Sequence, residues 1–225
     1  MKPIESVYIA RLFFNKSLIQ YHDSLFYMMH SLASSRLVNN WHMGDTDGLA
    51  VDMARNIHVN RAIEMRADAI IWLDTDMLFP NDALVRLVEM SNAGHPIAGG
   101  LYRRAVPPHD ILTEIEWGKP ATLSQLEAIT DGGVARVAMT AGGFTIVRTE
   151  LYLSVFDHWR ERGVIMPWYC NWDFHAGNNG CGEDRFFLLR AKEVGVTPVV
   201  DPTLHAIHAP YRSIRVPVVG EPSAL

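Results

Sequence analysis

Apolar and polar positions alternate near the start of the chain, Ser6-Val7-Tyr8-Ile9-Ala10, as they do in a half-buried strand. An apolar-rich stretch from Ser17 to Ala33 follows and is long enough for a helix. From Gly48, Ala50, Met53, Ala54 and Ile57 recur at helical spacing toward Ala62 and Ile63. That helix feeds the short apolar run Ala69-Ile70-Ile71-Trp72-Leu73, which reads as a core strand. Asn81 then stands as an N-cap, Leu84, Leu87 and Val88 share one face, and Gly94 before His95-Pro96 stops the helix. Pro96 to Tyr102 predicts another strand, and Pro107 to Gly133 an irregular, turn-rich excursion. Val134 to Met139 and Phe144 to Val147 predict short strands flanking Gly142-Gly143, and Thr149 to Arg160 has helical composition. Asp184 opens a last helix with Phe187, Ala191 and Val194 at i, i+4 and i+7, closed by Gly195 and the strand Thr197 to Val200. Strands alternating with helices predict an α/β fold with a mostly parallel central sheet flanked by helices.

Composition narrows this to one domain over residues 1–225. A chain of 225 residues with 48% hydrophobic and 20% charged content can bury one sizeable core, and no linker, repeat or low-complexity tract divides it. The longest apolar runs are too short to cross a bilayer, so no membrane insertion is expected. Met1 to Ser6 lacks the basic and then apolar pattern of a secretory signal, which predicts a cytoplasmic protein. The 2 cysteines, Cys170 and Cys181, suit a reducing compartment; with His175 they offer three zinc donors at a spacing that matches no common zinc module. A formal charge of −5 argues against a broadly basic nucleic-acid surface, although Arg103, Arg104, Arg212 and Arg215 could form a local patch.

The main chemical signal is Trp72-Leu73-Asp74-Thr75-Asp76, where a buried strand ends in two acids spaced i, i+2. In extended backbone this spacing sends both carboxylates to one side, at the strand end where α/β sheets bind ligands. Taken alone, acids in this position are commonly solvated turn residues or caps.

The order of several further segments changes that balance. Ala54-Arg55-Asn56, the strand ending in Asp74 and Asp76, Phe79-Pro80, Gly99-Gly100-Leu101-Tyr102, Ala141-Gly142-Gly143-Phe144, Gly182-Glu183-Asp184 and the late His208 follow one another across residues 48–210. Together they resemble the GT-A glycosyltransferases, and most closely the family-two-like inverting type, which includes small stand-alone forms in phages and bacteria.

The resemblance implies a GT-A, Rossmann-like nucleotide-sugar-binding fold and a nucleotide diphosphate sugar donor, a UDP-sugar by default. Asp74 matches the acid that faces the nucleotide sugar, and Asp76 the one that binds a divalent ion, Mn²⁺ or Mg²⁺. Asp74 can share that metal. His208 matches the late metal ligand, with His205 as the alternative three residues earlier. Arg55 and Asn56 match a helix position facing the nucleobase or diphosphate, and Gly142 and Gly143 belong to the donor site. Arg212 and Arg215 follow the metal histidine where related enzymes have a lid, and could grip the diphosphate. Glu183 and Asp184 lie at a helix start, where the dipole favours an ionised carboxylate; the second acid, Asp184, matches the base that deprotonates the acceptor hydroxyl. Gly177, Gly180 and Gly182 lie in the loop that leads to that position, and Trp168, Tyr169 and Trp172 precede the loop, where they could stack on a sugar or pack in the core. The acceptor remains open: a glycan, a protein, a small metabolite or a hydroxymethylated DNA base.

Two other classes use the same fold or acids. A nucleotidyltransferase would carry a glycine-rich basic loop after its first strand, where this chain has Arg11-Leu12-Phe13-Phe14-Asn15-Lys16. A silent nucleotide-sugar-binding module would often lack a metal acid or the base, and here Asp74, Asp76, Asp184 and His208 are all present.

Overall fold

The computed structural model describes residues 1–13, 19–105, 109–163, 168–170 and 182–208. The chain runs through β1 (Ser6–Phe13), α1 (Ile19–Ser35), β2 (Asn40–Asp47), α2 (Val51–Glu64), β3 (Ala69–Asp74), β4 (Met77–Leu78), α3 (Ala83–Asn92) and β5 (Ile97–Leu101). The excursion follows as β6 (Thr113–Glu116), β7 (Lys119–Pro120), α4 (Leu123–Ala128), β8 (Thr130–Asp131), β9 (Val134–Arg136) and β10 (Met139–Thr140). It returns through β11 (Phe144–Arg148), α5 (Thr149–Arg160), α6 (Glu183–Glu193), β12 (Val199–His205) and β13 (Ile207–His208).

The central sheet has eight strands in the order β2-β1-β3-β11-β5-β12-β9-β8. Strand pairing sets β2, β1, β3, β5, β12 and β8 in one direction, with β11 and β9 reversed. Alternation along β1 and β3 feeds two apolar layers. Val7, Ile9 and Ile71 pack with α1 and α3, whereas Tyr8, Ala10, Ile70 and Trp72 pack with α2, α5 and α6. The result is a mixed α/β sheet covered by helices on both faces.

Two expectations change, and one strand is new. The helix starting near Asn81 runs over Ala83–Asn92 with Asp82 at its N-cap, and neither an Asn81 nor an Asp82 side chain caps it. The turn-rich excursion contains a three-stranded sheet, β10-β6-β7, and the short helix α4, started by a capping box between Thr122 and Gln125. Strand β2 has no counterpart in the apolar pattern because it is a mostly exposed edge. It is held by its eight-residue parallel register with β1 and by a buried relay: Tyr8 Oη lies 3.0 Å from His58 Nδ1, and Thr46 Oγ1 3.1 Å from His58 Nε2. Burial, assisted by Arg61, lowers the His58 pKa to about 4, so this relay is neutral at ordinary pH.

The reversed strand positions the site. Phe144 pairs with Leu73, so the beginning of β11 meets the end of β3, and Gly142-Gly143 sit beside Asp74. A parallel strand at this place would bring its last residues there instead.

Candidate active site

Strand β3 delivers Asp74 to the sheet edge, where its backbone N–H donates to the Gly143 carbonyl at 3.0 Å. The two glycines are required by close approach. A Cβ on Gly143 would stand 2.0 Å from Asp74 Oδ2, and one on Gly142 would stand 2.2 Å from Asp184 Oδ1 and 2.8 Å from Arg55 Nη2. Gly142 N–H donates to Asp184 Oδ2 at 2.8 Å, and Gly143 N–H to the Tyr102 hydroxyl at 3.1 Å. A backbone without side chains therefore lets two acids from distant segments converge.

Arg55 organises the acids from below. Its side chain is 2% exposed, with Nη2 3.2 Å from Asp184 Oδ1 and Nε 3.4 Å from Glu183 Oε1; those carboxylates are 19% and 15% exposed. The guanidinium also lies over Trp72 and Tyr169, 5.0 and 5.5 Å from their ring centroids. Asn56 faces the next segment: its Nδ2 donates to the Tyr169 and Asp52 carbonyls, both at 2.8 Å, and its Oδ1 accepts from Tyr169 N–H at 3.1 Å. Asn56, expected to face a nucleotide, thus engages its amide within the chain, whereas Arg55, expected to do the same, forms ion pairs with the two acids while its buried Nε has no hydrogen-bond partner among the described residues.

One guanidinium faces a surplus of negative charge. Burial raises Asp74 to about 7; Arg55 opposes the shift, while Asp76 and Asp184 add to it. Burial also raises Glu183 to about 7, reinforced by Asp184 and opposed by Arg55. Glu183 and Asp184 occupy the first turn of α6, after Gly182 at the N-cap.

The Glu183 shift has a defined sign. An acid with a raised folded-state pKa keeps its proton in the fold after the unfolded chain has lost it, so stability is full below the ordinary value of 4.5 and declines as pH rises through about 7. Glu183→Gln is therefore expected to melt above wild type at pH 8 and to gain little at pH 5. Thermal melts at both pH values test this; a wild-type advantage at pH 8 would mean that the Arg55 contact outweighs the crowding of acids.

Asp76 belongs to a second group at the same edge. Strand β13 pairs with β4, placing His208 opposite Met77, and His208 Nε2 lies 3.9 Å from Asp76 Oδ2. His208 Nδ1 contacts the Arg103 carbonyl, and its ring stands edge-on to Tyr102, with centroids 5.3 Å apart. When neutral, an imidazole donating from Nδ1 presents the Nε2 lone pair toward Asp76. His205 Nε2 instead lies 2.6 Å from the Pro202 carbonyl, so of the two histidines it is His208 that meets Asp76. Among the described residues, no three His, Cys, Asp or Glu side chains form a metal-holding group. Asp74 therefore does not join Asp76 and His208 in such a group; its carboxylate lies against Gly143.

The aromatic segment is split by position. Trp168 Nε1 donates to the Tyr152 carbonyl at 2.9 Å, and buried Tyr169 stacks on Phe187, which makes both packing residues. Trp172, His175, Gly177, Gly180 and Cys181 lie outside the described residues, as do Arg212 and Arg215. Cys170 is a free thiol.

A cavity of about 270 Å³ opens beside Glu183 and Asp184, lined also by Arg104, Glu114, Met139 and Arg185. Glu114 pairs with Arg185, whose guanidinium lies 5.5 Å from the Trp117 ring centroid. This wall comes from the excursion, and no motif announced it. Tyr102 was part of a recognisable segment, but its role in holding Gly143 depends on a fold contact across 41 positions.

No protein-family model matches the chain, and no curated protein matches its sequence. Solved structures do match. A197 from STIV superposes with a TM-score of 0.56 at 15% identity, over 91% of this chain and 85% of that one. A structure of GalNAc-T7 with UDP, GalNAc and Mn²⁺ superposes with a TM-score of 0.60 at 12% identity, over 92% of this chain and 43% of that one. At these identities the likeness is one of fold. The chain has a mixed α/β fold with a large, mostly parallel central sheet flanked by helices, similar to GT-A structures.

Proposed function

We propose that this protein is a metal-assisted glycosyltransferase that moves a sugar from a nucleotide diphosphate sugar, by default a UDP-sugar, to an acceptor hydroxyl with inversion. The observation that carries this reading is the convergence of two groups at one sheet edge: Asp76 with His208, and Asp184 held by Arg55 and Gly142. The likeness to a structure containing UDP, GalNAc and Mn²⁺ supports it at the level of fold.

An oxygen and an imidazole nitrogen 3.9 Å apart can both reach one divalent ion, since such bonds are about 2.0–2.2 Å long. Asp76 and His208 would hold Mn²⁺ or Mg²⁺, leaving further positions for diphosphate oxygens and water. Bound there, the cation would offset the negative charge that grows on the departing nucleotide diphosphate. Asp184 borders the neighbouring cavity, where it accepts the acceptor's hydroxyl proton. The hydroxyl oxygen forms the new bond to the anomeric carbon, the old carbon–oxygen bond breaks, and its electron pair leaves with the diphosphate. Arg55 and Gly142 N–H hold the Asp184 carboxylate oriented for that transfer. Asp74 lies between the groups and would face the donor. Arg212 and Arg215 would close over the diphosphate.

Asp76→Asn is expected to weaken Mn²⁺-dependent UDP binding by at least about tenfold, because it removes a charged ligand. Calorimetric titration of UDP with and without Mn²⁺ measures this. Unchanged affinity and metal dependence in a folded variant would refute the metal assignment. Hydrolysis of a nucleotide sugar with added Mn²⁺ separates a working transferase from a silent binding module. Among the described residues, no helix is long and apolar enough to cross a membrane.

A further inference from the structure

We propose that the cavity between the exit of β5 and strand β13 is a phosphoryl-binding subsite built on Arg103 and Arg104. This cavity, about 530 Å³, adjoins the candidate metal ligand His208. One wall is a short antiparallel pairing: Arg103 bridges Ile111, Leu112 N–H donates to the Tyr102 carbonyl at 3.0 Å, and Arg104 N–H donates to the Asp110 carbonyl at 2.9 Å. The backbone carrying the arginines is thereby fixed, which lowers the ordering cost of using their side chains.

The charges on that wall have no carboxylate partner among the described residues. Among the described residues, neither Arg103 nor Arg104 pairs with a carboxylate; Arg103 Nη1 donates to the His109 carbonyl at 3.2 Å, leaving its other donors available. Among the described residues no Asp or Glu lines the cavity, and its titratable neighbours include His109, His205 and His208. In a chain with 25 acidic and 20 basic residues, two adjacent arginines that face a concavity with no carboxylate partner among the described residues run against the overall balance. Guanidinium forks match the several oxygens of a phosphoryl group, while Leu101, Ile111 and Ala206 offer an apolar floor for the carbon portion of a phosphate ester.

Arg104 also lines the smaller cavity that contains Asp184. A phosphoryl group at Arg104 would lie beside the path from the Asp76–His208 pair to Asp184. It could belong to the donor diphosphate or to a phosphorylated acceptor; the distinction rests on the function proposed above, whereas phosphoryl binding itself does not.

The test uses the full chain, metal-free in chelator, and titrates inorganic pyrophosphate and glucose 1-phosphate at fixed ionic strength into wild type, Arg104→Gln and Arg103→Gln/Arg104→Gln. Wild type is expected to bind at least one ligand, with affinity falling about tenfold in the single variant, as loss of a charge-assisted contact predicts, and further in the double. Arg104→Lys should restore part of the binding. Circular dichroism confirms that the exposed substitutions leave the fold intact. A parallel titration of UDP with Mn²⁺ assigns the source: a matching loss marks the donor diphosphate, and retained UDP affinity marks an acceptor phosphate. Absence of binding of both ligands to wild type at millimolar concentration, or equal affinities in all variants, overturns the subsite. If arginine-dependent binding persists but Mn²⁺-dependent UDP binding is absent, the subsite stands and the glycosyltransferase reading fails.

Discussion

Asp184→Asn is expected to bind nucleotide diphosphate as well as wild type while transferring sugar about 10²- to 10⁴-fold more slowly, the range for loss of a general base. Asparagine retains the size of aspartate and an oxygen to accept the Gly142 N–H, whose present bond to Asp184 Oδ2 is 2.8 Å. What disappears is the proton-accepting carboxylate beside the cavity. Glu183 is the alternative base because its pKa is raised to about 7, where an acid and its conjugate base are both available near neutral pH. Rates for Asp184→Asn and Glu183→Gln under saturating donor distinguish them. A collapse confined to Glu183→Gln transfers the role to Glu183. Near-wild-type rates in both variants, or a product retaining the donor's anomeric configuration, would defeat the inverting mechanism.

Gly143→Ala should be the most disruptive small substitution in the site. The added Cβ would lie 2.0 Å from Asp74 Oδ2, 2.4 Å from Asp74 Cγ and 3.0 Å from Met77 Cε. Asp74 cannot easily retreat, because it is half-buried and its backbone N–H is bonded to the carbonyl of that same glycine. Overpacking of this kind costs about 1–3 kcal/mol, and displacement of Asp74 should also reduce transfer more than tenfold if the acid faces the donor. Gly182→Ala provides the control, since its Cβ would meet no atom of the described residues within 4 Å and Gly182 precedes the same acids. Paired thermal melts and transfer assays decide the matter. Equal stability of the two variants would show that the β3–β11 edge relaxes freely.

The apolar run from Ala69 to Leu73 was legible because five consecutive buried positions leave little doubt about a central strand; the structure extends it by one residue to Asp74. Strand β2 was not legible. Trp41 and Met43 alternate with Asn40 and His42, but the pattern stops at Gly44-Asp45-Thr46-Asp47, and the segment becomes an eight-residue strand through pairing with β1. The direction of β11 was equally hidden, since alternation is the same in a parallel and an antiparallel strand. Within the site, the acids and glycines stood out through their resemblance to a motif series, but the reason for the glycines is a tertiary approach of side chains. Arg55 illustrates the limit best. Helical spacing places it on α2, yet only the folded chain brings Glu183 and Asp184 from more than a hundred residues away to a guanidinium buried against Trp72 and Tyr169.

The adjacency of Arg55 and Asn56 gives α2 a mechanical role. One residue holds the acids at the start of α6, and the next clamps both backbone groups of Tyr169. A rigid rotation of α2 would displace both attachments at once, so Asp184 and the Tyr169 backbone behave as a linked pair, like two arms on one axle. Reshaping this side of the cleft would then require the helix, the Tyr169 segment and the start of α6 to shift in concert, and an isolated swing of any one of them would have to break these contacts.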